Sequence, residues 1–198
     1  MGIYVIAYDV GTTGVKTCIY EISDTVKIIS SVVEGYGLSI DETGKAEQDP
    51  EELWNAMCVT TQKVVELSGI PADKIEGISF CSQMQGLVLV DKNGEPLRQT
   101  MSYMDQRASC EMKQGIGGGI TISGVNIFKL IKSISISGAV AASVKDPVWK
   151  YNWVKQNEPD IFKRIYKWLD IKEFLILKCT DQFVMTKDSA FGTMLFDI

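Results

Sequence analysis

No histidine occurs in this chain of 198 residues. That absence removes any Ser-His or Cys-His nucleophile and any mixed Cys/His zinc site. General-base work is left to a carboxylate or, second, to a lysine or tyrosine. The five cysteines (Cys18, Cys58, Cys81, Cys110 and Cys179) are odd in number and form no C-x-x-C pair. They predict reduced thiols in a cytoplasmic protein, most of them serving as small core residues. Long apolar runs are also missing, and nothing approaches the length of a membrane helix. The start, MGIYVIAYDVG, has no basic segment and reaches Asp9 too soon for a signal peptide, and Val5 and Ile6 break the myristoylation pattern. Positive charge is scarce: 20 Lys and Arg stand against 25 Asp and Glu, a net charge of −5. Such a chain is poorly suited to nucleic acid or an anionic membrane, and neither is expected as a partner. Backbone N–H groups and Mg2+ still let an acidic protein hold phosphate.

What is present is a globular composition, 45% hydrophobic and 23% charged, in a length suited to one domain or one and a fraction. Runs at 3–8 (IYVIAY), 15–22 (VKTCIYEI) and 26–33 (VKIISSVV) are β-branched and aromatic, and they predict three strands in an antiparallel meander. DPEELWNAMCVTTQKVVELSG predicts the best helix, with Asp49 as N-cap, Pro50 at N1, Glu52 at N3 and Gly69 as the stop. Its apolar face is Leu53, Trp54, Met57, Val64 and Val65. Strands are expected again at 75–82 and 86–91, an irregular connector over 115–124, and helices over 146–156, 158–168 and 170–179. The lysines between 145 and 167 are expected on solvated faces, and Trp54, Trp149, Trp153 and Trp168 in the core. The order βββαββ followed by helices is not a Rossmann alternation. It predicts an α/β, ribonuclease-H-like fold of the actin-like ATPase and sugar kinase kind. The expected sheet is mixed and five-stranded, its first three strands antiparallel, and flanked by helices.

Between the first two strands lies DVGTTGVK (9–16). Asp9 ends a strand, and Gly11, Thr12, Thr13 and Gly14 make a tight reversal. The glycines are expected to take positive φ and turn N–H groups inward, as an anion site needs. The Thr12 and Thr13 hydroxyls add donors, and Lys16 adds a cation within reach of a phosphate. The Asp9 carboxylate suits Mg2+ held through water. Positioning and charge neutralisation are what phosphoryl transfer requires. On the loop alone, a polar hairpin without a ligand is an equal alternative. It is no Walker loop, because Val15 separates Gly14 from Lys16, and GIGGGI at 115–120 lacks the last glycine of GxGxxG.

The loop does not stand alone. DVGTTGVK at 9–16, AEQDPEELW at 46–54, SFCSQMQGLVLVDKNGEPLR at 79–98, YMDQRA at 103–108 and KWLDIKEFLILKCTDQFVMTKDSAFGTMLFD at 167–197 follow in one order. Together they resemble the N-terminal half of the FGGY carbohydrate kinases, nearest the xylulokinase-like branch, with 109–135 the least similar part. The resemblance implies transfer of the γ-phosphoryl of ATP, with Mg2+, to a hydroxyl of a sugar or polyol, a xylulose-like ketose or a related acceptor. It implies that Asp9 is the essential aspartate near the metal and the transferring phosphate. Gly11, Thr12, Thr13 and Lys16 would form the phosphate loop. Gln83, Met84 and Gln85 would meet the sugar, with Gln85 standing where xylulokinases carry histidine. Asp105 and Arg107 would border the sugar directly or as a buttressing pair, with a structural ion pair as the alternative. Asp188 and Ser189 match a stretch facing the same cleft, as contact or as support.

By the same resemblance, residues 1–198 are an incomplete N-terminal domain of a longer kinase. The C-terminal lobe, the catalytic base and the adenosine pocket would lie beyond 198. The chain alone is therefore expected to show no appreciable turnover, and a homodimer of the longer protein stays open. Two other readings stand beside it: a non-catalytic half-kinase that binds sugar or a partner, and an actin-like or heat-shock-type ATPase domain. YMDQRA and SQMQG argue against the ATPase.

Overall fold

The β-branched runs near the N-terminus become strands in the computed structural model, which describes residues 2–197. They are β1 (Ile3–Val10), β2 (Gly14–Ile22) and β3 (Val26–Gly35). Two short strands follow, β4 (Ser39–Ile40) and β5 (Ala46–Gln48), then α1 (Pro50–Ser68) and β6 (Ile75–Ser82). Next come β7 (Val88–Val90), β8 (Thr100–Met101), α2 (Ser109–Ile116), β9 (Thr121–Ile122), β10 (Val125–Asn126) and α3 (Ile127–Ser137). The last elements are α4 (Pro147–Asn157), α5 (Pro159–Phe162), β11 (Lys167–Leu169), α6 (Ile171–Thr180) and α7 (Lys187–Gly192). The chain divides into two units. The first runs to Leu38 and resumes over Gln48–Gln83; the second takes Ser39–Glu47 and the chain from Met84.

In the first unit the expected meander forms, with β6 added parallel to β1, in the order β3-β2-β1-β6. Asp9 pairs across with Lys16 on β2 and stands beside Cys81 on β6. The sheet has four strands, not five. β6 ends at Ser82, and the left-handed conformation at Gln85 (φ 64°), far from strand dihedrals, breaks the chain's direction before the next apolar run. The apolar run after it shortens to β7, which pairs antiparallel with β11 in the second unit. β11 in turn takes residues expected to continue a helix over 158–168; that helix stops at Phe162.

α1 forms as its caps dictate. The Asp49 carboxylate accepts from the Glu51 N–H at 2.9 Å, Pro50 opens the helix, and Gly69 closes it at φ 64°. Leu53, Met57 and Val64 are buried, each contributing about 1.5–3 kcal/mol. Hydroxyls add directional contacts between helix and sheet. Tyr8 Oη lies 2.7 Å from Thr61 Oγ1, Thr17 donates to Thr60 at 2.7 Å, and Ser30 donates to the Val64 carbonyl at 2.9 Å.

The second unit centres on Leu87, Leu89, Met101 and Val154, with Tyr151, Trp153, Phe162 and Trp168 packed around them. Tyr151 stacks on Trp168, ring centroids 5.2 Å apart. Over part of the expected irregular connector, β9 and β10 form a small hairpin. Asn126 then caps α3, accepting from the N–H groups of Phe128 and Lys129. Two further expectations are corrected. Cys81, Cys110 and Cys179 are exposed, so only a minority of the cysteines serve the core. Lys150, expected on a solvated face, is fully buried, because its ammonium finds backbone carbonyls to bind. No helix among the described residues is long and apolar enough to cross a membrane.

Candidate functional site

The turn between β1 and β2 is held by its carbonyls. Gly11 N–H donates to the Gly14 carbonyl at 2.9 Å, closing the reversal. Tyr36 Oη donates to the carbonyls of Gly11 (2.5 Å) and Gly14 (3.0 Å), and the Tyr36 N–H to that of Thr13 (3.1 Å). The Gln48 side chain donates to the Thr12 carbonyl at 2.7 Å, and Gln83 donates to that of Gly11 at 2.9 Å. Gln83 also donates to Gln48 Oε1 at 3.0 Å. All four carbonyls of the turn are thus engaged, whereas the amides of Thr12 and Thr13 donate to no acceptor among the described residues. Unpaired amides side by side are the donors an anion needs. The glycines work differently from the expectation: neither Gly11 nor Gly14 has positive φ. A Cβ on Gly14 would lie 2.7 Å from the Glu34 carbonyl oxygen, so close approach of β3 is what demands glycine there.

Asp9 and Lys16 sit opposite each other across β1 and β2, on one face of the sheet, both exposed. The Asp9 carboxylate makes no hydrogen bond or ion pair among the described residues. Burial, and next the Asp9 charge, keep the Tyr36 phenol protonated well above its ordinary range, so it stays a donor.

In the second unit the Met84–Gly86 bend is gripped by charge. Asp170 accepts from the N–H groups of Gln85 (2.8 Å) and Gly86 (2.9 Å), and caps α6 through the Ile171 N–H at 2.8 Å. Lys150 Nζ donates to the carbonyls of Gln85 (2.8 Å) and Ser102 (2.7 Å). Burial raises the Asp170 carboxyl to about 6 against the pull of its three backbone donors, and lowers the Lys150 ammonium to about 8 despite nearby Asp105, Asp170 and Asp146. Met84 is 45% exposed, and the Gln85 side-chain amide has no partner among the described residues.

Asp105 and Arg107 come together as a pair. The fully buried Asp105 accepts from Arg107 Nε at 3.0 Å and Nη2 at 2.7 Å, and from the Ala46 N–H at 3.0 Å. Glu47 takes Arg107 and Arg98 on one oxygen and lies 3.4 Å from Lys45 through the other. The Arg107 guanidinium stacks over Trp153, 4.4 Å from the ring centroid. Engaged on this many sides, Arg107 forms the ion pair that both the buttressing and the structural alternatives expected. Asp188 pairs with Lys172 at 2.7 Å, which holds its carboxyl down to about 2, while Ser189 is buried against Thr186.

Sequence reasoning missed Tyr36, Gln48, Lys150 and Asp170. Gln48 stood inside the quoted AEQDPEELW stretch and Asp170 inside that at 167–197; nothing marked Tyr36 or Lys150, and all four act by holding backbone rather than by displaying a side chain.

A mixed sheet flanked by helices, with a glycine turn of open amides after its first strand and an aspartate at the strand end, defines an α/β domain. The chain belongs to the FGGY family of carbohydrate kinases, whose N-terminal domain model matches residues 4–198. It is 28% identical over 195 residues to the xylulose kinase of Staphylococcus xylosus, covering 98% of this chain and 38% of that one. Its fold matches the gluconate kinase of Lactobacillus acidophilus with a TM-score of 0.84 at 27% identity, over 100% of this chain and 37% of the other. The ligand-bound xylulose kinase of the same organism gives 0.83 at 27%, over 98% and 36%. The chain thus spans little more than a third of the length of these relatives.

Proposed function

We propose that this chain is the part of an ATP-dependent carbohydrate kinase that receives the terminal phosphate and the acceptor sugar. The observation that carries this is the turn at Gly11–Gly14: its carbonyls are engaged by Tyr36, Gln48 and Gln83, and the Thr12 and Thr13 amides are left open. Those amides and the two hydroxyls would orient a phosphate, with Lys16 offsetting its charge. The donor set also fits Mg2+. Among the described residues no group of three His, Cys, Asp or Glu could hold a metal. An ion at Asp9 therefore needs phosphate oxygens and water as its other ligands, which is how Mg2+ is commonly bound. When bound, the ion supplies charge neutralisation at the γ-phosphoryl.

Gln83, Met84 and Gln85 would serve the acceptor, Gln85 through its free amide and Met84 as an apolar wall, with Asp105 and Arg107 as the buttress. Similarity to a xylulose kinase and to a gluconate kinase at 28% and 27% identity points to an open-chain polyhydroxylated acceptor rather than to one sugar. The catalytic base and the adenosine pocket belong to residues beyond 198 in this proposal, and the 198 residues alone bind without turnover. Five free thiols suit a cytoplasmic setting.

The test is nuclear magnetic resonance of the 198-residue chain with magnesium tripolyphosphate. The Thr12 and Thr13 amide signals should move, and Asp9→Asn should weaken the Mg2+-dependent affinity about tenfold or more, equal to about 1.4 kcal/mol. Binding that ignores both Mg2+ and Asp9, or that moves other amides, defeats the proposal.

A further inference from the structure

Gln85 sits at φ 64°, in the left-handed region that favours glycine. A residue other than glycine stays there only when its surroundings impose it, and such residues gather at functional sites. Here two buried charges impose it. The Asp170 carboxylate holds the N–H groups of Gln85 and Gly86, and a Cβ on Gly86 would lie 2.8 Å from its Oδ1. The Lys150 ammonium holds the carbonyl of the same residue, Gln85, and ties it to the carbonyl of Ser102. Both polar groups of one residue's backbone are therefore held by side chains of opposite charge, one from α4 and one from the start of α6. Burying such charges is costly where apolar packing would serve. Glycine at 85 would relieve the bend at once. Glutamine is there instead, and its side-chain amide, able to donate and accept, is bonded to nothing among the described residues.

We propose that Lys150 and Asp170 are positioning residues that hold the Gln85 backbone left-handed, so that its free amide is presented to the hydroxyls of the acceptor sugar. This rests on Gln85 meeting the sugar. It adds two residues that touch no substrate and act through a third.

A double-mutant cycle on the 198-residue chain tests it, with D-xylulose and D-gluconate as probes. Lys150→Met removes both donated bonds at similar length. Asp170→Asn is milder and serves if the first variant does not fold. Two readouts are taken: the backbone chemical shifts of Gln85, and sugar affinity with glutamine or alanine at 85. Each variant should move Gln85 out of the left-handed region. Each should weaken the better-bound sugar about fivefold or more in the native background and less than about twofold beside Gln85→Ala. A left-handed Gln85 in both variants overturns the proposal, as do equal losses in both backgrounds. If the native chain binds neither sugar, or Gln85→Ala binds as well as native, Gln85 is no sugar contact and the positioning role falls with it. The chemical shifts then still decide whether the two charges hold the bend.

Discussion

The phenol of Tyr36 donates to the Gly11 carbonyl at 2.5 Å, across 25 positions of sequence. One hydroxyl at the end of β3 thereby helps to set which way the amides after β1 are turned. Tyr36→Phe keeps the ring and removes the donor. It should cost about 1 kcal/mol of stability, the net worth of one partly buried hydrogen bond. Faster hydrogen exchange at the Gly11 amide should accompany the loss, since the closing Gly11–Gly14 bond loses its brace. Unchanged exchange would show that Gln48 and Gln83 hold the turn without it.

Asp170 and Lys150 should give stability opposite pH slopes on either side of neutrality. Burial lifts Asp170 from 3.8 to about 6. Across that window the folded chain keeps a proton that the unfolded chain releases, so this group withdraws stability as pH rises, and its cost is complete above about 6. Burial lowers Lys150 from 10.5 to about 8. Across that window the unfolded chain holds the extra proton, so stability rises with pH, and the cost is complete below about 8. Each effect is roughly 3 kcal/mol. Denaturant unfolding at a series of pH values reads both. The stability of the native chain relative to Asp170→Asn should fall between about pH 4 and 6, and relative to Lys150→Met it should rise between about pH 8 and 10.5. Flat differences would contradict the assignments.

Arg107→Lys should not behave as a conservative change. The guanidinium meets Asp105 with two nitrogens and stacks on Trp153, and an ammonium can do neither in that form. The fully buried Asp105 would be left short of donors. A loss of about 2 kcal/mol is expected in chemical unfolding, with altered tryptophan emission. Retention of native stability would reduce the cluster to a surface pair.

The parts legible in the sequence were those that local physics decides. Runs of β-branched and aromatic residues marked β1, β2 and β3, and Asp49, Pro50 and Gly69 marked both ends of α1. Glycine and aspartate at 9–14 marked the turn. What could not be read there depends on distant partners. Gly14 is glycine because of the Glu34 carbonyl, twenty residues on, not because of its own dihedral. Lys150 looks like any helix lysine until Gln85 and Ser102 supply carbonyls at 2.8 and 2.7 Å. The apolar run at 88–90 announces a strand and not its partner, and its pairing with Lys167–Leu169 took it out of the expected sheet.

The hydroxyl contacts beneath that turn, from Tyr8, Thr17 and Ser30 to α1, have a mechanical meaning. Greasy surfaces can slide by a fraction of a turn at small penalty, whereas a dowel seats in one hole. With three dowels close together, at Thr60, Thr61 and Val64, α1 is pinned against β1, β2 and β3 and resists creeping when a neighbouring methyl group is added or lost. The platform bearing Asp9 should therefore tolerate drift in its greasy residues over evolutionary time without disturbing the loop it carries.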